Sequence, residues 1–261
     1  MGSPRALSVA AAVVAVAVGL VGCSSTVDLD PPKPGAMLLA PTALPSGFTA
    51  TATTVAELAA ANAGPLAEAA HTPVVPADCR PTADAGLNGR LDDDTAAVLT
   101  ARSSDATLSN LVVAGPRDID ADVREHTGAC ATTRTTLTTG GRAGAVVIAE
   151  HRKLAPPVLS GAAAGRLGLV GRLTISQMFL FRADTTTTLP DGTTSRSVSF
   201  AGYAAAHAPG SESAANRFTI ALTVSGDPTG FAKPFPEVTE PMSDKGFVEL
   251  FVKALTAAGQ A

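Results

Sequence analysis

The chain has 261 residues, is 46% hydrophobic and carries a formal net charge of −4 with no basic block, which argues against nucleic-acid binding. There is no tryptophan and one tyrosine, Tyr203, so the usual stacking platforms for sugars and single strands are missing. The length suits one domain with a sizeable core.

Arg5 gives the start of the chain a short positive region. Residues 6–20 follow as an uncharged run rich in Ala and Val, suited to a secretory signal and short for a spanning helix. The run ends in Leu20-Val21-Gly22-Cys23, which resembles the bacterial lipobox. That resemblance implies a signal over residues 1–22, cleavage before Cys23, and a diacylglycerol on the Cys23 thiol. It places the mature chain on the extracytoplasmic face of the cell membrane, its first partner being membrane lipid. One buried methylene contributes about 0.8 kcal/mol, so two or three acyl chains on one residue make release negligible. Ser24-Ser25-Thr26 and Asp30-Pro31-Pro32-Lys33-Pro34-Gly35 then predict an extended, poorly ordered spacer over residues 23–44. A single α+β domain is expected over residues 45–261.

Within that domain, residues 47–53 alternate like a short strand. Thr54 and Glu57 form a capping box ahead of a helix over 55–63, which Gly64-Pro65 is expected to stop. A second helical stretch is expected over 66–71. Cys79 sits in the turn-forming run Ala77-Asp78-Cys79-Arg80-Pro81. Strands are expected over 95–101 and 108–114, joined by Ser103-Ser104-Asp105. Asp118 caps a helix over 119–127, stopped by Gly128 with Cys130 just beyond. Apart from Cys23, the cysteines are therefore Cys79 and Cys130. In an oxidising compartment they allow one intramolecular disulfide, closing a loop worth roughly 4 kcal/mol on the chain-entropy account.

Strands are expected over 131–139 and 143–149, the first with a polar, β-branched face at Thr132–Thr136. Pro190-Asp191-Gly192 marks a hairpin between 173–186 and 193–206. Leu173, Ile175, Phe179 and Phe181 share one parity on it, and Val198 and Phe200 share one on its partner. Another strand covers 218–224. A last helix starts near Ser243 with the stripe Phe247, Leu250, Phe251, Ala254, Leu255 and Ala258. The fold expected is α+β, a mostly antiparallel sheet with helices packed on one face and one disulfide.

Chemistry-bearing motifs are scarce. GxSxG, SxxK, HExxH, CxxC and the phosphate-binding loop are all missing from the sequence. His71, His126, His151 and His207 lack a His or Cys at ligand spacing and read as surface or loop residues. Asp92-Asp93-Asp94 reads as a solvated turn, and Asp118, Asp120 and Asp122 as carboxylates at a helix start. Gly165, Gly168 and Gly171 read as a flexible approach to the hairpin. The apolar loop over 155–169 is a candidate contact surface. No catalytic residue, metal ligand or cofactor is assigned, and ligand-binding residues are left open.

The lipobox, the spacer, Pro76-Ala77-Asp78-Cys79 and the closing strand-then-helix are together similar to small mycobacterial surface lipoproteins. More loosely, the chain resembles the extracellular sensor domains of mycobacterial receptor kinases. A bias of fourteen Arg to five Lys also resembles GC-rich actinobacterial genomes. The resemblance implies a non-enzymatic, lipid-anchored module that binds a ligand or an envelope protein in sensor or accessory fashion. The alternative is a lipid or glycolipid carrier with an apolar cavity behind the last helix.

Overall fold

The computed structural model describes residues 32–162, 167–208, 216–233 and 236–261. The signal and Cys23 lie outside them. In chain order the elements are β1 (Thr49–Thr51), α1 (Val55–His71), β2 (Val74–Val75), α2 (Ala83–Asn88), β3 (Ala96–Arg102), β4 (Ala106–Ala114) and α3 (Ile119–His126). They continue with β5 (Thr132–Thr136), β6 (Val146–Lys153), β7 (Gly168–Val170), β8 (Leu173–Thr188), β9 (Thr194–His207), β10 (Arg217–Gly226) and α4 (Asp244–Gln260). The strands make one antiparallel sheet in the order β1-β3-β4-β10-β9-β8-β6-β5-β2, with β7 on β8. This is the α+β, mostly antiparallel class that the alternating pattern predicts.

The β8–β9 hairpin forms the middle of the sheet. Its loop is Leu189 to Thr193, where only Gly192 takes a positive φ, 79°. Asp191 instead accepts from the Thr193 N–H and hydroxyl, which closes the turn from the side chain.

Helices cover both faces rather than the single face expected. The central strands are apolar on both sides, so each side needs a cover. On β10, Phe218, Ile220, Leu222 and Val224 face α4, while Ala221 faces α1, α2 and α3. Behind α4 the core is filled. Phe247 stacks on Phe200 at 5.2 Å, and the Phe251 ring lies where a Cβ on Gly202 would come within 2.9 Å. All six stripe residues of α4 are buried.

The shared parity of Leu173, Ile175, Phe179 and Phe181 predicts one face for all four, and the structure separates them. Register against β9 shifts between Ile175 and Gln177, which makes Ser176 an extra residue. A bulge of one residue exchanges the two faces. Leu173 and Ile175 therefore join the α4 side, and Phe179 and Phe181 join the other.

Two further expectations change. The spacer over 23–44 does not extend to Leu44. Pro34–Met37 and Pro41–Ala43 form 3-10 turns, Met37 and Leu39 are sealed into the α4-side core, and the Leu39 N–H donates to Asn110 Oδ1 at 2.8 Å. Burying two such side chains, at about 1.5–3 kcal/mol each, offsets the ordering of a segment whose prolines are already stiff. Likewise α1 runs straight through Gly64-Pro65 to His71. Pro65 forfeits one main-chain hydrogen bond on an exposed helix surface, where water can replace it.

The disulfide forms as expected between Cys79 and Cys130, with Cα atoms 5.3 Å apart. It ties the turn before α2 to the turn after α3. Among the described residues no helix is long and apolar enough to cross a membrane.

Candidate functional site

The face opposite α4 is incompletely filled. Its sheet floor is a row of paired residues, Leu111 on β4, Ala221 on β10, Tyr203 on β9 and Phe179 on β8. Beside Ala221 the floor drops to Ser109 and Thr223, also small. Across from it, α1 presents Leu58, Asn62 and Leu66 at four-residue spacing, and none of these is fully buried. Small residues below and a loosely seated helix above leave a cleft of about 360 Å³. Asn62 Nδ2 donates to Asn88 Oδ1 at 3.2 Å, and Asn88 Nδ2 donates to the Ala59 carbonyl, which joins α1 to α2 over the opening.

At the inner end of this cleft lies an ionic web in which Arg117 and Asp122 are buried and Asp84 is exposed. The Arg117 guanidinium donates to both oxygens of Asp122 at 2.7 Å and to Asp84 Oδ1 at 2.7 Å. It lies 3.7 Å above the centre of the Tyr203 ring. Burial pushes the Asp122 carboxyl up to about 6, against the opposing hydrogen bonds from Arg117. Burial works against the Arg117 charge too, but the hydrogen bonds to Asp122 raise its pKa further above the ordinary value. The Tyr203 hydroxyl is raised as well, first by burial. Glu125, one turn along α3, accepts from the N–H and hydroxyl of Thr82, which fixes α3 to the start of α2.

A second cavity of about 180 Å³ opens on the other side of α3, against β2, β5 and the disulfide. Glu125, His126 and His151 line it. The rings of His126 and His151 meet edge to face with centres 4.6 Å apart, and His126 stacks on Phe181 at 4.1 Å. Burial lowers the pKa of both histidines below the ordinary 6.5, which favours their neutral forms.

The residues singled out in the sequence fall in several places. Asp118 caps α3, its Oδ1 accepting from the Ala121 N–H at 2.8 Å, and Asp92 accepts from the Asp94 N–H in an exposed turn. Asp122 departs from its expected role at a helix start: it is fully buried on Arg117. His71 is exposed, whereas His126 and His151 are drawn together and half-buried. His207 Nε2 lies 3.2 Å from Ser176 Oγ at the bulge, among the described residues the one serine–histidine contact to weigh for nucleophilic chemistry. Neither residue lines either cavity, and among the described residues no carboxylate orients His207. In the apolar loop Val158 is fully exposed while Leu159 packs into the core; Gly165 lies outside the described residues. Gly171 is a close approach rather than a flexible link, since a Cβ there would meet the Gly259 carbonyl.

Sequence reasoning missed Arg117, Asp84, Tyr203 and the Asn62–Asn88 pair. The only sequence signal for them is an arginine five residues before an aspartate, within a segment already rich in aspartate. Comparison of the chain with protein-family models, with curated proteins and with solved structures finds no match.

Proposed function

We propose that this chain is a non-catalytic ligand-binding module of the cell envelope, held on the extracytoplasmic face through lipid on Cys23, with the cleft under α1 as its binding site. The observation that carries the reading is the cleft itself. Its volume of about 360 Å³ lies in the range of small-molecule sites. Leucines on α1, α2 and β4 line it, with Asn62 and Asn88 over the opening and Asp84 and Arg117 at the inner end. Such a site suits a small amphiphile with an apolar body and a hydrogen-bonding end. Because Arg117 is already satisfied by two carboxylates, a neutral or cationic head fits better than an anionic one.

Native mass spectrometry of the full chain purified in detergent from its own host tests the site. A retained small molecule is expected on the unaltered chain and is lost from Thr223→Trp, which fills the floor. Equal retention by both chains would place the ligand elsewhere. For the anchor, Cys23→Ala is expected to abolish membrane partitioning.

The carrier reading asks for an apolar cavity behind α4. The filled packing of Phe200, Phe247 and Phe251 gives it no support there.

A further inference from the structure

The second cavity carries chemistry that the cleft does not use. His126 Nδ1 lies 2.8 Å from the Asp122 main-chain carbonyl, and His151 Nδ1 lies 3.1 Å from that of Cys130. A carbonyl can only accept, so each Nδ1 holds the ring proton and each Nε2 keeps its lone pair. Among the described residues neither Nε2 has a hydrogen-bond partner, and no unpartnered side-chain nitrogen is sealed from solvent. Each Nε2 is therefore reached by solvent, on residues that line the cavity. An imidazole whose far nitrogen donates to a main-chain carbonyl is the arrangement that fixes tautomer and ring direction in metal-binding histidines.

A carboxylate completes the set. Glu125 Oε1 takes both Thr82 donors, which leaves Oε2 without a donor among the described residues. Ligand atoms of Asp122, Glu125 and His126 lie within 4.8 Å of one another. Asp122 commits both oxygens to Arg117, so it contributes charge rather than a ligand. His151 lies outside that group but faces His126 from β6 across the cavity, with ring centres 4.6 Å apart. Formally, Asp84, Asp122 and Glu125 outnumber the single Arg117.

We propose that His126, His151 and Glu125 form a site for one divalent transition-metal ion of the zinc class, with water in its remaining positions. Two imidazoles and one carboxylate suit such ions, whereas calcium and magnesium take oxygen ligands. The elements bearing the ligands are already fixed to one another. The disulfide and Thr82 hold α3, Phe181 supports the His126 ring, and β6 holds His151 in the sheet. Joint ligation requires the His151 ring to turn from its edge-to-face position toward His126 and Glu125.

The test uses the full chain in detergent, stripped with EDTA and titrated with Zn²⁺ alone by calorimetry. One ion per chain is expected. His151→Gln is expected to weaken binding at least tenfold. No zinc binding, or equal affinity in His151→Gln, overturns the site. A measurement on the unaltered chain guards against a variant that fails to fold. Substoichiometric Co²⁺ is expected to perturb the ring protons of His126 and His151 before those of His71 and His207. The reverse order overturns the proposal. Neither result depends on what occupies the cleft under α1.

Discussion

Arg117 grips Asp122 through two hydrogen bonds of 2.7 Å while its guanidinium lies flat over Tyr203, 3.7 Å from the ring centre. One contact comes from the first turn of α3 and the other from the sheet floor, so a single side chain joins helix to sheet beneath the cleft. Removing it strands a carboxylate with no exposure to water. Arg117→Met is expected to destabilise the domain by about 3–5 kcal/mol, the cost of an uncompensated buried charge. In urea unfolding, a loss below 1 kcal/mol would mean that Asp122 finds another partner. Arg117→Met with Asp122→Leu is expected to recover much of the loss, since an apolar pair leaves no charge behind.

The disulfide acts chiefly on the unfolded chain. It closes a loop of 51 residues, for which the chain-entropy account gives roughly 4 kcal/mol. Cys79→Ala with Cys130→Ala is expected to lower stability by about that amount and to loosen the walls of the smaller cavity first. Hydrogen exchange should show it as early loss of protection in α3 and β5, before β9 and β10.

How much of this was legible in the sequence depends on whether the cause is local. Thr54 with Glu57, Asp118 and Ser243 each state their own cap, and each forms as read, while Asp191-Gly192 states the turn but only Gly192 takes the positive φ. The α4 stripe is equally local. The Ser176 bulge is not: one extra residue leaves the alternation intact on either side, so parity alone misassigns Phe179 and Phe181. His126 and His151 lie on α3 and β6, and only the sheet order β8-β6-β5 brings them together. Asp122 has a sufficient local explanation at a helix start, which conceals its partnership with Arg117. The cleft needs Ser109 and Thr223 side by side on β4 and β10, a register that no single segment announces.

Residues 34–44 belong to the folded domain, and that has a measurable consequence. Met37 is fully buried against α4 and the sheet. Met37→Ala is expected to cost about 2–5 kcal/mol, the range for deleting a buried side chain of this size. An unstructured spacer would predict no change in the thermal midpoint.

Acidification acts on the histidine pair in a defined direction. Burial lowers both pKa values below 6.5, so just below that pH the unfolded chain binds more protons than the folded one. Their contribution is complete above pH 6.5 and declines as the pH falls. Glu125, Asp84 and Arg117 face His126, and His126 faces His151, so the two titrations are coupled. Asp122 runs oppositely. Its carboxyl is raised from 3.8 to about 6, so the folded chain holds the extra proton in that window and gains stability as the pH falls through it. Proton NMR in chelator checks the sign: ring midpoints for His126 and His151 are expected below 6.5, and midpoints above it would reverse the slope.

The central claim is that the cleft under α1, not the space behind α4, receives the ligand. Methyl NMR of leucine-labelled full chain, titrated with a lipid and metabolite extract of the host envelope, tests it most directly. The account predicts shifts at Leu58, Leu66, Leu87 and Leu111, which line the cleft, with Leu250 and Leu255 on α4 unmoved. Shifts confined to Leu250 and Leu255, or none at any leucine, would contradict it.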